Sequence, residues 1–309
     1  MLGKSQKAAR LAETITDHTA IQGRSLWQDA RMRFVRNKAA MASVFILGLI
    51  VLFTIIGPYF AVWNNEEIDW AVMGDVAGMG MPSIETGHYF GVDDLGRDLY
   101  SRVIQATTTS LLVGLIGAAT ALIVGTCYGI AAGYIGGRVD GVMMRFVDIL
   151  LAIPATLVII LLLVVAGRSF FMLFIALGAV GWLTMARIVR GQTLTLKNRE
   201  FIEAARAAGV SEFTIMYRHI LPNLLGVVIV YASLLVPEMI LTESFISFLG
   251  LGISEPYTSL GRLIAEGAGT MGYGTLWQLM YPLAFYVTII ITMFFIGDGL
   301  RDALDPKDR

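Results

Sequence analysis

Apolar and polar positions fall in long blocks along this chain. Mostly apolar runs occupy residues 39–62, 107–133, 143–166, 170–190, 224–246 and 279–299. Each meets the ~20 residues a helix needs to cross ~30 Å of hydrocarbon at ~1.5 Å per residue. The pattern predicts an all-α polytopic membrane protein with six transmembrane helices. Only 167-GRS-169 separates the third and fourth runs, which predicts a tight hairpin. The chain divides into a polar segment 1–38, a first span with its following loop at 39–106, and a five-helix unit at 107–309.

One wet segment, 197–223, interrupts the apolar series. Phe201, Ala204, Ala205 and Ala208 stand at i, i+3, i+4 and i+7, which gives one helical apolar face. A face made mostly of alanine has low relief and suits close docking. Gly209 is placed to end that helix, since glycine takes a left-handed conformation readily. Ser211 is placed to cap a second helix with Glu212 in its first turn. Pro222 is expected to break this second helix before the fifth span. Two short helices across a glycine joint make a docking surface rather than an active site.

Composition supports a membrane protein: 56% of residues are hydrophobic and mean hydropathy is +0.70. Only 15% are charged, against about 25% in soluble proteins. The net charge of −1 points to no nucleic-acid partner. Charge distribution says more. Residues 1–38 hold eight Lys/Arg, whereas 63–106 holds eight acids with only Arg97 and Arg102. Arg187, Arg190, Lys197, Arg199, Arg206 and Arg218 mark the 191–223 region as basic. Positive charge concentrates in cytoplasmic loops, so both termini and 191–223 are expected inside the cell and the loops 63–106 and 247–278 outside. In 25–40, Ser25 and Gln28 fit a capping box. There Leu26, Trp27, Ala30 and Phe34 fall on one face, as in a helix lying in the headgroup layer.

Within the spans, Gly125, Gly129, Gly133 and Gly137 recur every fourth residue and would admit a close neighbour. Pro154 and Pro237 interrupt the third and fifth spans. Arg145 with Asp148, and Asp298 with Arg301, have the spacing of pairs at the membrane boundary. Glu238 and Glu243 have no neighbouring cation in sequence. Intramembrane acids are functional by default, so Pro237, Glu238 and Glu243 are candidates for a translocation path. Cys127 is a lone cysteine in an apolar run, expected as a small buried hydrophobe, and excludes an intrachain disulfide.

Motifs for enzyme chemistry are missing. His18, His88 and His219 are far apart and offer no metal spacing. The GKS at 3–5 lacks a phosphate-cradling glycine loop, and 267-GAGTMG-272 has no strand before it. An ion-driven carrier using Glu238 and Glu243 is the alternative class, but no inverted repeat of the kind common in such carriers is visible.

Glu203-Ala204-Ala205, three residues, Gly209, nine residues, then His219, Leu221 and Pro222 resembles the EAA signature of permease subunits of ATP-binding-cassette importers. The stretches 88-HYFGVDDLGRDLYSRV-103, 243-ESFISFLGLGISEPYTSLGRLIAEG-267 and 297-GDGLRDALDP-306 resemble C-type permeases of peptide and nickel transporters. The stretches 23-GRSLWQDARMRF-34, 186-ARIVRGQTL-194 and 227-VVIVYASLLVPEMIL-241 are similar to oligopeptide permeases. The resemblance implies a type I importer permease fold in a bacterial inner membrane, with oligopeptides as cargo and dipeptides, glutathione or nickel chelates as alternatives. It implies a second permease (B subunit), two ATPases (D and F) docking on 197–223, an external peptide-binding protein (A) and surrounding lipid. ATP and magnesium would sit on the ATPases, and this chain would bind no cofactor.

Overall fold

The structure is a computed structural model that describes residues 26–304; the expected Ser25 cap, His18 and the C-terminal residues 305–309 lie outside the described residues. Its helices of eight or more residues are α1 (Leu26–Arg36), α2 (Lys38–Ile56), α3 (Leu99–Ile135), α4 (Gly137–Leu151), α5 (Ala155–Ala166), α6 (Phe170–Leu196), α7 (Glu200–Ala207), α8 (Glu212–Phe248), α9 (Leu260–Thr270) and α10 (Trp277–Leu304). Helices α2, α3, α6, α8 and α10 are long and apolar enough to cross a membrane, and the bent pair α4–α5 brings the number to six. The spans alternate in direction. One end, called lower, carries α7; the upper end carries the segments 57–98 and 249–276.

The third expected span is not a straight helix. Helices α4 and α5 meet at an angle of 79°. Pro154 disfavours a helical conformation in the residue before it and offers no N–H, so α4 stops at Leu151 and α5 restarts at Ala155. Helix α5 and α6 form the expected hairpin, turned by Gly167 at φ +99° and tied to the upper segment by Arg168 Nη1 donating to Gly250 O at 2.9 Å. The expected Arg145–Asp148 pair does not form. Asp148 accepts from Arg187 Nη2 of α6 at 2.6 Å instead, and Arg190 grips Asp140 of α4 through two bonds of 2.5 and 2.6 Å. Asp298 and Arg301 form no ion pair with each other.

The bundle is centred on α3 and α6. A Cβ added to Gly125 would lie 2.7 Å from Trp182 O, one on Gly129 2.5 Å from Ala186 O, and one on Gly133 2.8 Å from Arg190 O. All three contacts are to backbone, which cannot step aside. The predicted stripe is therefore a helix–helix seam. Gly137 is not part of it: it is the first residue of α4, at φ +57°, and a Cβ added there would meet nothing within 4 Å. Cys127 is exposed, not buried, because its position on α3 points away from that seam.

Helix α3 begins at Leu99, eight residues before the apolar run. Asp98 caps it by accepting from Ser101 N at 2.8 Å, and His88 Nδ1 lies 2.9 Å from the same carboxylate. The following polar side chains find partners in the upper segments. Arg102 pairs with Asp93, both buried, and its Nη1 is 3.0 Å from Glu266. Arg97 lies 2.7 Å from Asp93 and 3.0 Å from Glu255; Arg262 lies 3.1 Å from Glu255 and 2.8 Å from Glu266. Three guanidiniums thus alternate with three carboxylates and weld segment 57–98 to α9.

Replacing Gly129 by Leu should destabilise the detergent-solubilised chain by at least about 1–3 kcal/mol through overpacking, while Gly191→Ala, with nothing within 4 Å of the added Cβ, should be neutral or stabilising by thermal unfolding. A second expectation concerns pH. Hydrogen bonding from Arg97 holds the Glu255 carboxyl below its usual range. A depressed carboxyl contributes stability that is complete above its unfolded pKa, about 4.3, and lost as pH falls through the folded value. Protease resistance of the upper segments, compared between the wild type and Glu255→Gln, should differ at neutral pH and converge only at pH values below about 4.

Candidate functional site

The 197–223 segment folds much as its pattern predicts, and packing explains why. Glu200 and Glu203 stand in the first turn of α7, where acids complement the helix dipole. The helix closes with Gly209 N donating to Arg206 O at 3.0 Å and Val210 N to Ala205 O at 3.1 Å, around Gly209 at φ +76°. That paired arrangement requires a left-handed residue. Ser211 Oγ accepts from Thr214 N at 3.3 Å and starts α8.

Pro222 does not break the second helix. Helix α8 runs from Glu212 to Phe248 as a single element of 37 residues. A π turn at Met216–Ile220 lets Leu221 N donate to Met216 O, five residues back. This register shift accommodates the missing Pro222 N–H, and Asn223 Nδ2 takes up the His219 carbonyl at 2.6 Å. The docking segment is therefore continuous with the fifth span.

The two faces of α7 have separate duties. Ile202 is completely buried with Ile215, Ile220, Leu224, Val189 and Met185, and Ala205 packs beside them. Phe201, Glu203, Ala204, Ala208 and Gly209 are exposed, His219 and Leu221 are half-buried, and Pro222 is exposed. Most of the expected apolar face thus looks outward, with only Ala205 turned toward the core. Beneath it, Glu212 accepts from the Tyr134 hydroxyl at the foot of α3; Arg206 lies 3.4 Å from Glu212 and donates to Tyr134 at 3.3 Å. Lys197 Nζ donates to Gly133 O at 2.9 Å. Hydrogen bonding to Tyr134, with Glu212 adjacent, holds the Arg206 pKa above its ordinary value. Sequence reading missed this fastening, because Tyr134 and Glu212 lie 78 residues apart. It also missed Phe213 and Tyr217, exposed at 75% and 69%, which extend the apolar outward face.

The candidate path residues are not brought together. Glu238 is exposed on the side of α8, whereas Pro237 and Glu243 are buried inside the chain. Glu243 accepts from Ser247, Ser244 and Ser110 at 2.6, 3.2 and 3.4 Å.

A family described as the inner membrane component of binding-protein-dependent transport systems matches residues 125–309. The chain belongs to that family. The N-terminal transmembrane domain of oligopeptide transport permease C matches residues 25–75. The chain is similar to the oligopeptide transport system permease protein OppC of Escherichia coli strain K12, 52% identical over 305 residues that cover 99% of each chain. It is 49% identical to the protein of the same description from Haemophilus influenzae, over 99% of this chain and 97% of the relative. The dipeptide transport system permease protein DppC of Bacillus subtilis is 41% identical over 92% of this chain and 87% of the relative. The α7 segment, the foot of α3 and four of the six spans lie within the family match. The chain is accordingly an integral-membrane permease component of an ATP-binding-cassette importer.

Truncating Ile202 to Ala should loosen α7 by about 2–5 kcal/mol, the usual range for a buried large-to-small change. Phe201→Ala should leave the isolated chain unchanged. Hydrogen exchange over residues 199–211 separates the two.

Proposed function

We propose that this chain forms half of the translocation path of an oligopeptide importer and receives ATP-driven motion through α7 and the start of α8. A second permease would supply the other half, two ATPase subunits would grip α7, and an external peptide-binding protein would deliver cargo to the upper segments. The observation that carries the reading is the construction of α7: bolted to α3, α6 and α8 on one side and presenting Phe201, Ala204, Ala208, Phe213 and Tyr217 on the other. Exposed aromatic residues in such a cluster favour an interface. The concentration of arginine and lysine at the lower end supports placing it, with both termini, in the cytoplasm.

Glu238 fits a place on the path. Against lipid an exposed carboxylate near mid-span costs a few kcal/mol, so facing water or the second permease is the favourable arrangement. The oligopeptide reading draws on the OppC relatives named above; the DppC relative favours dipeptides as the second reading. Competition of labelled tri- to pentapeptides with dipeptides during uptake by the reconstituted importer distinguishes them. ATP and magnesium belong to the ATPase subunits in this scheme.

Glu203→Lys or Gly209→Pro should abolish peptide uptake while the six spans still assemble, since the first reverses a charge on the docking face and the second forbids the left-handed turn. Normal uptake with either would count against the proposal. Phe213→Ala should weaken retention of the ATPases by about 1.5–3 kcal/mol, roughly ten- to hundredfold in Kd, read by co-purification at graded dilution.

A further inference from the structure

Glu243 has no surface exposure, and among the described residues no cation stands within ion-pair distance. Its carboxyl oxygens are satisfied by hydroxyl donors alone. Ser247 and Ser244 come from its own helix, α8, at 2.6 and 3.2 Å, and Ser110 comes from α3 at 3.4 Å. Ser110 Oγ in turn accepts from Leu260 N, the first residue of α9, at 3.3 Å. Three elements therefore meet at one acid.

The backbone around the acid is as close as chain allows. A Cβ on Gly261 of α9 would fall 2.4 Å from Ser244 O, and one on Gly252 would fall 2.7 Å from Ser247 Cα. The upper segment consequently lies directly on the serine-bearing turn of α8. Burying an acid is unfavourable unless its hydrogen bonds are complete. An apolar side chain would fill this space without that demand but would bond to neither α3 nor its own turn of serines. The carboxyl acts as a key that fixes how the elements register.

Position along α8 gives the key a mechanical meaning. The lower end of α8 carries Ile215 and Ile220 beneath Ile202 of α7, and the helix reaches Glu243 without a break. At ~1.5 Å per residue the whole helix is about 55 Å long. Pro237 removes one helical bond six residues below Glu243 and makes that level of α8 easier to bend. The part above it is held to its surroundings through the serine-ringed carboxyl.

We infer that Glu243 is a positioning residue that makes the upper segment 249–276 follow α8, so that displacement begun at α7 reaches the upper mouth of the path. This rests on the reading of α7 as the ATPase-docking element. The key itself is a geometric statement, which can be tested apart from transport.

The experiment uses the full importer reconstituted in lipid with its ATPases, second permease and binding protein. Spin labels are attached at Gly269→Cys and Leu115→Cys, both open positions, in a Cys127→Ser background. Glu243→Leu should broaden the 115–269 distance distribution and lower peptide uptake per ATP hydrolysed by about fivefold or more, the low end of ordinary coupling between distant sites. Glu243→Gln keeps an acceptor oxygen and should restore both readouts to within about twofold of wild type. A merely space-filling role predicts no such order, with Leu tolerated at least as well as Gln. An assembled Glu243→Leu importer with an unchanged distance distribution and uptake ratio would overturn the inference. Should that variant fail to assemble, Ser247→Ala removes only the 2.6 Å bond; the same two readouts, unchanged, would equally overturn it. Absence of peptide uptake by the wild-type complex would instead reject the proposed function and leave the distance measurement to decide the key.

Discussion

Close approach of two backbones, α3 and α6, is the constraint on which the rest of this molecule depends. Three glycines on α3 face Trp182, Ala186 and Arg190 carbonyls on α6 with no room for a methyl group. In lipid, helices gain little from sharing apolar surface, because the surroundings are equally apolar; close packing holds them together. With α3 and α6 fixed, Arg190 can reach Asp140 and Lys197 can reach Gly133 O. The lower part of α6, the foot of α3 and the start of α8 then define the platform on which α7 lies.

That platform gives the docking element its rigidity. An eight-residue helix has little stability by itself. Helix α7 gains its order from Ile202 below, the glycine-closed turn after it, and the Tyr134–Glu212–Arg206 fastening. Continuity of α8 through the π turn then makes the docking segment and the fifth span one body. A helix broken at Pro222 would have interposed a flexible joint between a motor and the path; the observed register shift avoids it.

The upper end is built by different physics. Its segments are joined by alternating guanidiniums and carboxylates, several of them shielded from water, beside an apolar cluster that includes Leu99, Val103, Leu260 and Leu263. A single buried pair of this kind is weak support for stability, and breaking one partner is far more harmful than replacing both. A closed ring with equal numbers of both signs leaves none of its members uncompensated.

The sequence by itself determined what depends on local pattern and on the solvent: the number of spans, the charge asymmetry between ends, the glycine stop of α7 and the serine cap of α8, and the family to which the EAA spacing pointed. These are legible because hydrocarbon thickness, glycine geometry and serine capping act over a few residues. Tertiary structure alone decided the rest. Pro154 signalled an interruption, but only packing shows α4 and α5 turning sharply at it. Pro222 carried the same local signal, and the π turn absorbed it. Asp148 chose Arg187 over the nearer Arg145, and the unpaired appearance of Glu243 dissolved once Ser110, from a distant helix, arrived beside it. Whether an acid lines a path or keys a joint depends on which distant side chains surround it, and no interval along the chain records that.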